Sequence, residues 1–73
     1  MIIDKNPIID VLNSTIQVTN NIDTNEDVLI MVNGMIAITN DDITSINNNI
    51  ITISQNTGVD LDIDVIAVIY DSL

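Results

Sequence analysis

The chain has 73 residues and a formal net charge of −10, with eleven acidic residues against a single basic one, Lys5. A chain of this length makes one domain, residues 1–73, and buries only about 60% of its unfolded surface. Because it contains no Cys and no His, disulfides and the commonest metal ligands are excluded, and oligomerisation or docking is the expected additional source of stability. With one basic side chain it is unsuited to phosphate backbones and anionic lipids, so we predict no nucleic-acid and no membrane partner.

The first third of the chain predicts short strands. In residues 1–7, Ile2 and Ile3 form either an edge strand or a flexible docking tail, and Pro7 marks a start or an edge. Residues 8–12 are either a strand, which we favour, or one helical turn. Residues 15–19 alternate between polar and apolar side chains, which is typical of a strand.

A tight β-hairpin is predicted over residues 27–38. Asn33-Gly34 separates two apolar runs, and both residues accept the positive φ that a type I′ turn requires. Strand alternation divides the apolar side chains between two faces: Val28, Ile30 and Val32 against Leu29 and Met31, and beyond the turn Ile36 and Ile38 against Met35 and Ala37. Both faces are apolar, so one should belong to the core and the other to an interface. The sequence leaves open which is which.

The remaining segments also predict strands. A brief strand is expected at residues 43–46, a turn at the triplet 47–49, a strand at 50–54, and the longest strand at 59–70. No segment shows helical periodicity. We therefore predict an all-β fold, a small antiparallel β-sandwich or barrel of about six short strands with the Asn-Gly hairpin at its centre.

Asp60, Asp62 and Asp64 are the only candidates for a metal site. On a strand they would form a row of carboxylates on one side, and Ca²⁺ takes oxygen ligands. A straight strand holds such carboxylates parallel rather than convergent, so a solvated strand face is the favoured interpretation. We predict no metal and no cofactor. Since no His or Arg is present to serve the four serines, we also predict no enzymatic activity.

The same predicted strand changes from polar to apolar along one face. Either a bulge shifts its register near Val65, or its far half enters a region covered on both sides, which we favour. A set of apolar side chains on this strand and on the hairpin is therefore predicted to form an interface: Leu29, Met31, Met35, Ile66, Val68 and Tyr70.

Several short motifs resemble a small β-domain that recurs in virion proteins of tailed bacteriophages, particularly fibre and appendage proteins. The motifs are Val32-Asn33-Gly34, Asp42-Ile43-Thr44, Ile51-Thr52-Ile53, and Asp64 followed by Ile66, Val68 and Tyr70. The resemblance covers about two-thirds of the chain. This chain departs from the pattern in having Ile43 in place of an aromatic residue and Ile63 in place of Gly. The resemblance implies a fold and a virion setting, and it carries over no catalytic residue.

From this resemblance we expect a structural protein of a phage virion. The favoured role is a capsid auxiliary or decoration protein, or a head-fibre attachment component, acting by oligomerisation and by docking on other virion proteins. The alternatives are a tail-fibre or appendage module, and a small acidic binding or inhibitor protein.

Overall fold

Eight short strands form two antiparallel sheets in the computed structural model, which describes all 73 residues. The strands are β1 (Ile2–Asp4), β2 (Ile8–Asp10), β3 (Thr15–Gln17), β4 (Leu29–Val32), β5 (Met35–Ile38), β6 (Ile43–Asn47), β7 (Ile50–Ile53) and β8 (Ile66–Tyr70). Two 3₁₀ turns, Asn40–Asp42 and Gln55–Thr57, are the only helical segments, and neither has the length to cross a membrane. The all-β prediction is confirmed, with a sandwich-like arrangement of eight strands in place of the six expected.

The two sheets contain four strands each. The first sheet has the order β1-β8-β4-β5, and the second has the order β2-β3-β7-β6. Every neighbouring pair is antiparallel. In the first sheet β8 lies between β1 and β4. The last strand therefore connects the first strand to the hairpin that β4 and β5 form.

The core consists of side chains that alternate along these strands toward the opposite sheet. Eleven residues are buried, and none of them is charged. They are Ile16, Val18, Ile22, Val28, Ile30, Ile38, Ile51, Ile53, Ile66, Val68 and Tyr70. The single aromatic ring is the largest of them, and its hydroxyl accepts a hydrogen bond from the backbone N–H of Asn20 at 3.2 Å. The core is thus built mainly from β-branched side chains, which suit a pleated surface.

The Asn-Gly hairpin is confirmed. Asn33 and Gly34 have φ values of 53° and 88°, as a type I′ turn requires. One detail of the prediction is wrong, because Ile36 and Ile38 do not share a face. Ile38 pairs with Ile30 but Ile36 pairs with Met31, which leaves Ala37 as the extra residue of a bulge. Ile38 is therefore fully buried, whereas the side chain of Ile36 is 55% exposed on the opposite face.

The N-terminal lead is an edge strand. Of the two alternatives for residues 1–7, the structure shows the strand, in which Ile2 pairs with Tyr70 and Ile3 with Ile69. At its end, the carboxylate of Asp4 accepts hydrogen bonds from the backbone N–H and the hydroxyl of Thr19, both at 3.1 Å.

The prediction of one long strand over residues 59–70 is wrong. Only Ile66–Tyr70 is a strand, and the preceding Asp-rich segment is a turn. The backbone N–H of Asp64 donates to the carbonyl of Asp60 at 2.8 Å, and that of Asp62 donates to the Asp60 carboxylate at 3.0 Å. Asp side chains commonly compete for local N–H groups in this way, which favours turns over strands. The change from polar to apolar residues therefore marks the start of the strand and not a change in its surroundings.

Asn33 links this Asp-rich turn to the hairpin through hydrogen bonds. Its side-chain amide donates to the carboxylate of Asp64 at 3.1 Å and accepts from the backbone N–H of Val65 at 2.9 Å. Its backbone N–H also donates to the carbonyl of Val65, at 2.8 Å. The turn residue thus extends the β4–β8 pairing by one position beyond Val32 and Ile66.

We expect Asn33→Ala to lower the free energy of unfolding by about 1–2 kcal/mol more than Asn48→Ala. Both residues have a positive φ in a tight turn, so both variants suffer the same backbone strain. The Asn33 side chain makes two hydrogen bonds that alanine removes, whereas Asn48 takes part only through its backbone carbonyl. Urea denaturation of the two variants measures the difference. Equal losses would show that the fastening of Asn33 to the Asp-rich turn contributes nothing.

Candidate docking face

The outward side of the first sheet is continuously apolar. Along β8, burial alternates between buried Ile66, Val68 and Tyr70 and their less buried neighbours, so the latter point away from the core. We call the outward-pointing set the outer face: Ile3, Leu29, Met31, Ile36, Val65, Ala67 and Ile69.

Cross-strand pairing makes these residues neighbours. Ile69 lies between Ile3 on one side and Leu29 on the other, and Met31 lies between Ala67 and Ile36. Side chains that face each other on adjacent strands come into direct contact. The outer face is therefore one apolar surface that spans all four strands of the sheet.

Exposure is greatest at the borders of the outer face. Ile3 is 48% exposed on β1, Ile36 is 55% exposed on β5, and Val65 is 69% exposed just before β8. The residues of the two central strands are half-buried, because they pack against one another. No charged or hydrogen-bonding side chain lies among them, and contiguous apolar surfaces of this kind mark interaction sites.

The second sheet has an outward side of the usual polar kind. The residues that point outward from its strands are Ile8, Asp10, Thr15, Gln17, Ser45, Asn47, Ile50 and Thr52. Most are polar, and the two isoleucines stand on different, non-adjacent strands. The contrast shows that an apolar outward side is a property of the first sheet alone.

Carboxylates lie beyond the ends of the outer face. At the end where β4 begins, Asp27 and Asp41 line a shallow depression together with Leu29, Thr39 and Asn40. At the hairpin end, the carboxylate of Asp64 accepts a hydrogen bond from the side chain of Asn33 in the turn. Acidic residues therefore lie at both ends of the outer face, and none is among its seven members.

The predicted interface residues divide into three groups. Leu29 and Met31 do point outward. Met35 is exposed at the hairpin end, but it pairs with Val32, which packs against the core, so it does not belong to the outer face. Placing the other three on an interface was wrong, because the sandwich buries them: Ile66, Val68 and Tyr70 are at most 5% exposed. Side chains alternate along β8, so these three point into the core and only Ala67 and Ile69 point outward.

Sequence reasoning missed most of the outer face. Ile69 and Ala67 were missed because the opposite face of their strand, with Ile66, Val68 and Tyr70, was taken as the interface. Ile3 was missed because its strand partner was unknown. Ile36 was assigned to the wrong face because of the bulge at Ala37. A signal was present in the apolar run at residues 65–70, since a strand with both faces apolar is expected to be covered on both sides.

The carboxylates of the Asp-rich turn are not gathered into one cluster. No group of three or more acidic side chains in the structure is arranged to hold a metal ion. The carboxylate oxygens of Asp60 and Asp64 are instead used inside the turn. Asp64 accepts from the backbone N–H of Asp60 at 2.9 Å and from the side chain of Asn33 at 3.1 Å.

Concave surfaces elsewhere are open and shallow. A groove of about 390 Å³ runs between the β2–β3 turn and residues 53–61, and three hydroxyl-bearing residues line it, Ser14, Ser54 and Thr57. The hydroxyl oxygens of Ser54 and Thr57 accept hydrogen bonds from nearby backbone N–H groups, at 3.3 and 3.2 Å. These side chains therefore stabilise the loop that carries them.

One carboxyl on the β2–β3 turn has a perturbed pKa. The side-chain amide of Asn13 donates to Asp10 at 2.8 Å, and its backbone N–H donates at 3.3 Å. Both bonds favour the charged form, so the pKa of Asp10 is lowered from its ordinary value. This carboxylate is fully exposed and belongs to the second sheet, so it closes the turn without contributing to the outer face.

Comparison with known proteins finds no match to this chain among protein-family models, curated proteins or solved structures. Its function must therefore be inferred from its own residues and geometry.

Asp64→Ala is expected to lower the free energy of unfolding by about 1–2 kcal/mol, because it removes the acceptor for two hydrogen bonds. Asp62→Ala is the matched control. It removes the same charge from the same turn, but the Asp62 carboxylate accepts no hydrogen bond, so its effect should stay within about 0.5 kcal/mol. Thermal or urea denaturation measures both variants, and a larger loss for Asp62→Ala would contradict the hydrogen-bond assignment.

Proposed function

We propose that this chain is a non-enzymatic structural protein of a tailed-phage virion. In this role it acts as a capsid auxiliary or decoration protein, or as a head-fibre attachment component. It works by oligomerisation and by docking on other virion proteins, and the outer face is the surface through which it docks.

The apolar outer face is the observation that carries this proposal. A protein that remained alone in solution would gain solubility from polar residues at these positions, as the second sheet shows. Removing apolar surface from water contributes roughly 25 cal/mol per Å², so covering Ile3, Ile36 and Val65 with a partner is favourable. The outer face is small, but it is contiguous and bordered by polar residues, as protein–protein contact sites are.

The side chains available for chemistry also favour a structural role. The chain has no His, no Cys and no Arg, so acid–base and nucleophilic catalysis have few of their usual participants. Its best-organised carboxylates, Asp60 and Asp64, accept hydrogen bonds within their own turn. These features are expected of a protein that acts by binding other proteins through its surface.

The virion setting is supported by the resemblance to the small β-domain of phage fibre and appendage proteins. The motif Val32-Asn33-Gly34 forms the end of β4 and the hairpin turn, and Ile51-Thr52-Ile53 lies in β7. Asp64 stands in the turn before β8, which holds the final apolar motif. The motifs thus occupy turns and core strands, which are the positions expected of motifs that are structural.

Detection of the chain in purified particles tests the setting. We expect mass spectrometry of virions, purified from the virus whose genome encodes the chain, to find it in many copies per particle. A small acidic inhibitor would instead be found in infected-cell lysate bound to a basic protein, and absent from particles. That outcome would overturn the structural role.

Met31→Asp is expected to remove the chain from those particles. It places a carboxylate at the centre of the outer face, where docking would bury it without a partner, and burying an unpaired charge is costly. Thr52→Asp is the matched control, since it adds the same charge to a half-buried, outward position on a central strand of the second sheet. Particle content is compared after circular dichroism has shown that both variants fold. Retention of Met31→Asp at the wild-type level would show that docking uses another surface.

A further inference from the structure

The outer face raises a more specific question, which is what covers it. Four strands spaced about 4.8 Å apart, each with about four residues rising 3.4 Å, give a flat area of roughly 19 by 14 Å. A standard protein–protein interface covers about 800 Å² on each partner, so this area is less than half of one. A contact limited to this area is therefore weak unless many copies are held close together.

The charge distribution narrows the choice of occupant. A basic partner would gain from contact with carboxylates, but the outer face contains none of the eleven acidic residues. For two acidic copies of this chain, by contrast, a neutral surface is where approach meets the least repulsion. A second copy also offers a matching surface, since it presents an apolar four-stranded sheet of the same width.

The sheet edges favour contact through the face over strand addition. Each edge strand carries a feature that hinders pairing with another chain. Asp4 ends β1, and Pro7 and Asp10 flank and end β2. The β5 and β6 edges each contain a bulge, at Ala37 and between Ile43 and Ser45. Two copies therefore meet more favourably sheet on sheet, which is how the two sheets already stack within one chain.

We propose that the outer face packs against the outer face of a second copy. The resulting dimer is two-fold symmetric and has four stacked sheets, about 10 Å apart, with the two outer faces forming its middle contact. This inference rests on the proposed docking function. It identifies a second copy of the chain as the partner that docks on the outer face. The small contact area makes the dimer weak and reversible, so it is populated when copies are concentrated.

Sedimentation equilibrium of the purified chain tests the dimer, with Ile36→Asp and Ile8→Asp as a matched pair. Both isoleucines lie on edge strands and point outward, at 55% and 65% exposure, so neither substitution disturbs the core. Only Ile36 belongs to the outer face. We expect Ile36→Asp to raise the dimer dissociation constant about tenfold or more, because it buries a charge without a partner. Ile8→Asp should leave it within about twofold, since its charge stays in water.

The dependence on salt separates an apolar contact between two copies from a contact held by ion pairs. Raising salt from about 0.1 to 1 M shortens the Debye length from about 10 to 3 Å, which screens the repulsion between two chains of charge −10. We expect the wild-type dimer to become tighter. A chain that stays monomeric at the highest attainable concentration in both salts would overturn the proposal. So would association that weakens with salt, or equal effects of the two variants.

The virion role and the dimer can be overturned independently of each other. A chain that is present in virions but monomeric in solution would overturn the dimer and leave the structural role intact. A salt-strengthened dimer, sensitive to Ile36→Asp, from a chain that is absent from virions would support the dimer and overturn the virion role.

Discussion

The pairing of β4 with β8 determines the rest of the structure. These two strands are the centre of the first sheet, and their register matches Leu29 with Ile69, Ile30 with Val68 and Met31 with Ala67. Because side chains alternate, this one register sends Ile30 and Val68 into the core and the other two pairs outward. A slip of one residue would exchange the two sides. Asn33 opposes such a slip, since its three hydrogen bonds to Asp64 and Val65 continue the pairing past the strand end.

The size of the chain explains why one apolar side is left without cover. A domain of 73 residues has enough strands for two sheets and one layer of core between them, so each sheet buries only one side within the chain. On the second sheet six of the eight outward positions carry polar residues, which water solvates, and the other two are Ile8 and Ile50. On the first sheet the outward positions carry Ile, Leu and Met. The difference lies in the choice of residues at equivalent outward positions.

The sequence was sufficient for the fold class and the hairpin, because both depend on local chemistry. Asn33-Gly34 requires positive φ, and alternating β-branched residues favour strands whatever lies around them. The outward position of Ile36 and the late start of β8 were not predicted. Ile36 changes face because Ala37 bulges, and β8 starts after the Asp-rich turn because Asp60 and Asp64 hydrogen-bond within that turn. The choice between a strand and a tail for Ile3 was left open, because it depends on pairing with the distant Ile69. Of the outer face, the sequence therefore identified only Leu29 and Met31.

Charge and apolar surface act together in this chain. A continuous apolar face on a neutral protein promotes indiscriminate aggregation, and a net charge of −10 opposes it through repulsion between copies. Because Asp27 and Asp41 lie at one end of the outer face and Asp64 lies at the other, they also restrict the orientations in which two acidic surfaces can approach. Repulsion outside the face and attraction within it favour a contact that is limited in area and specific in geometry.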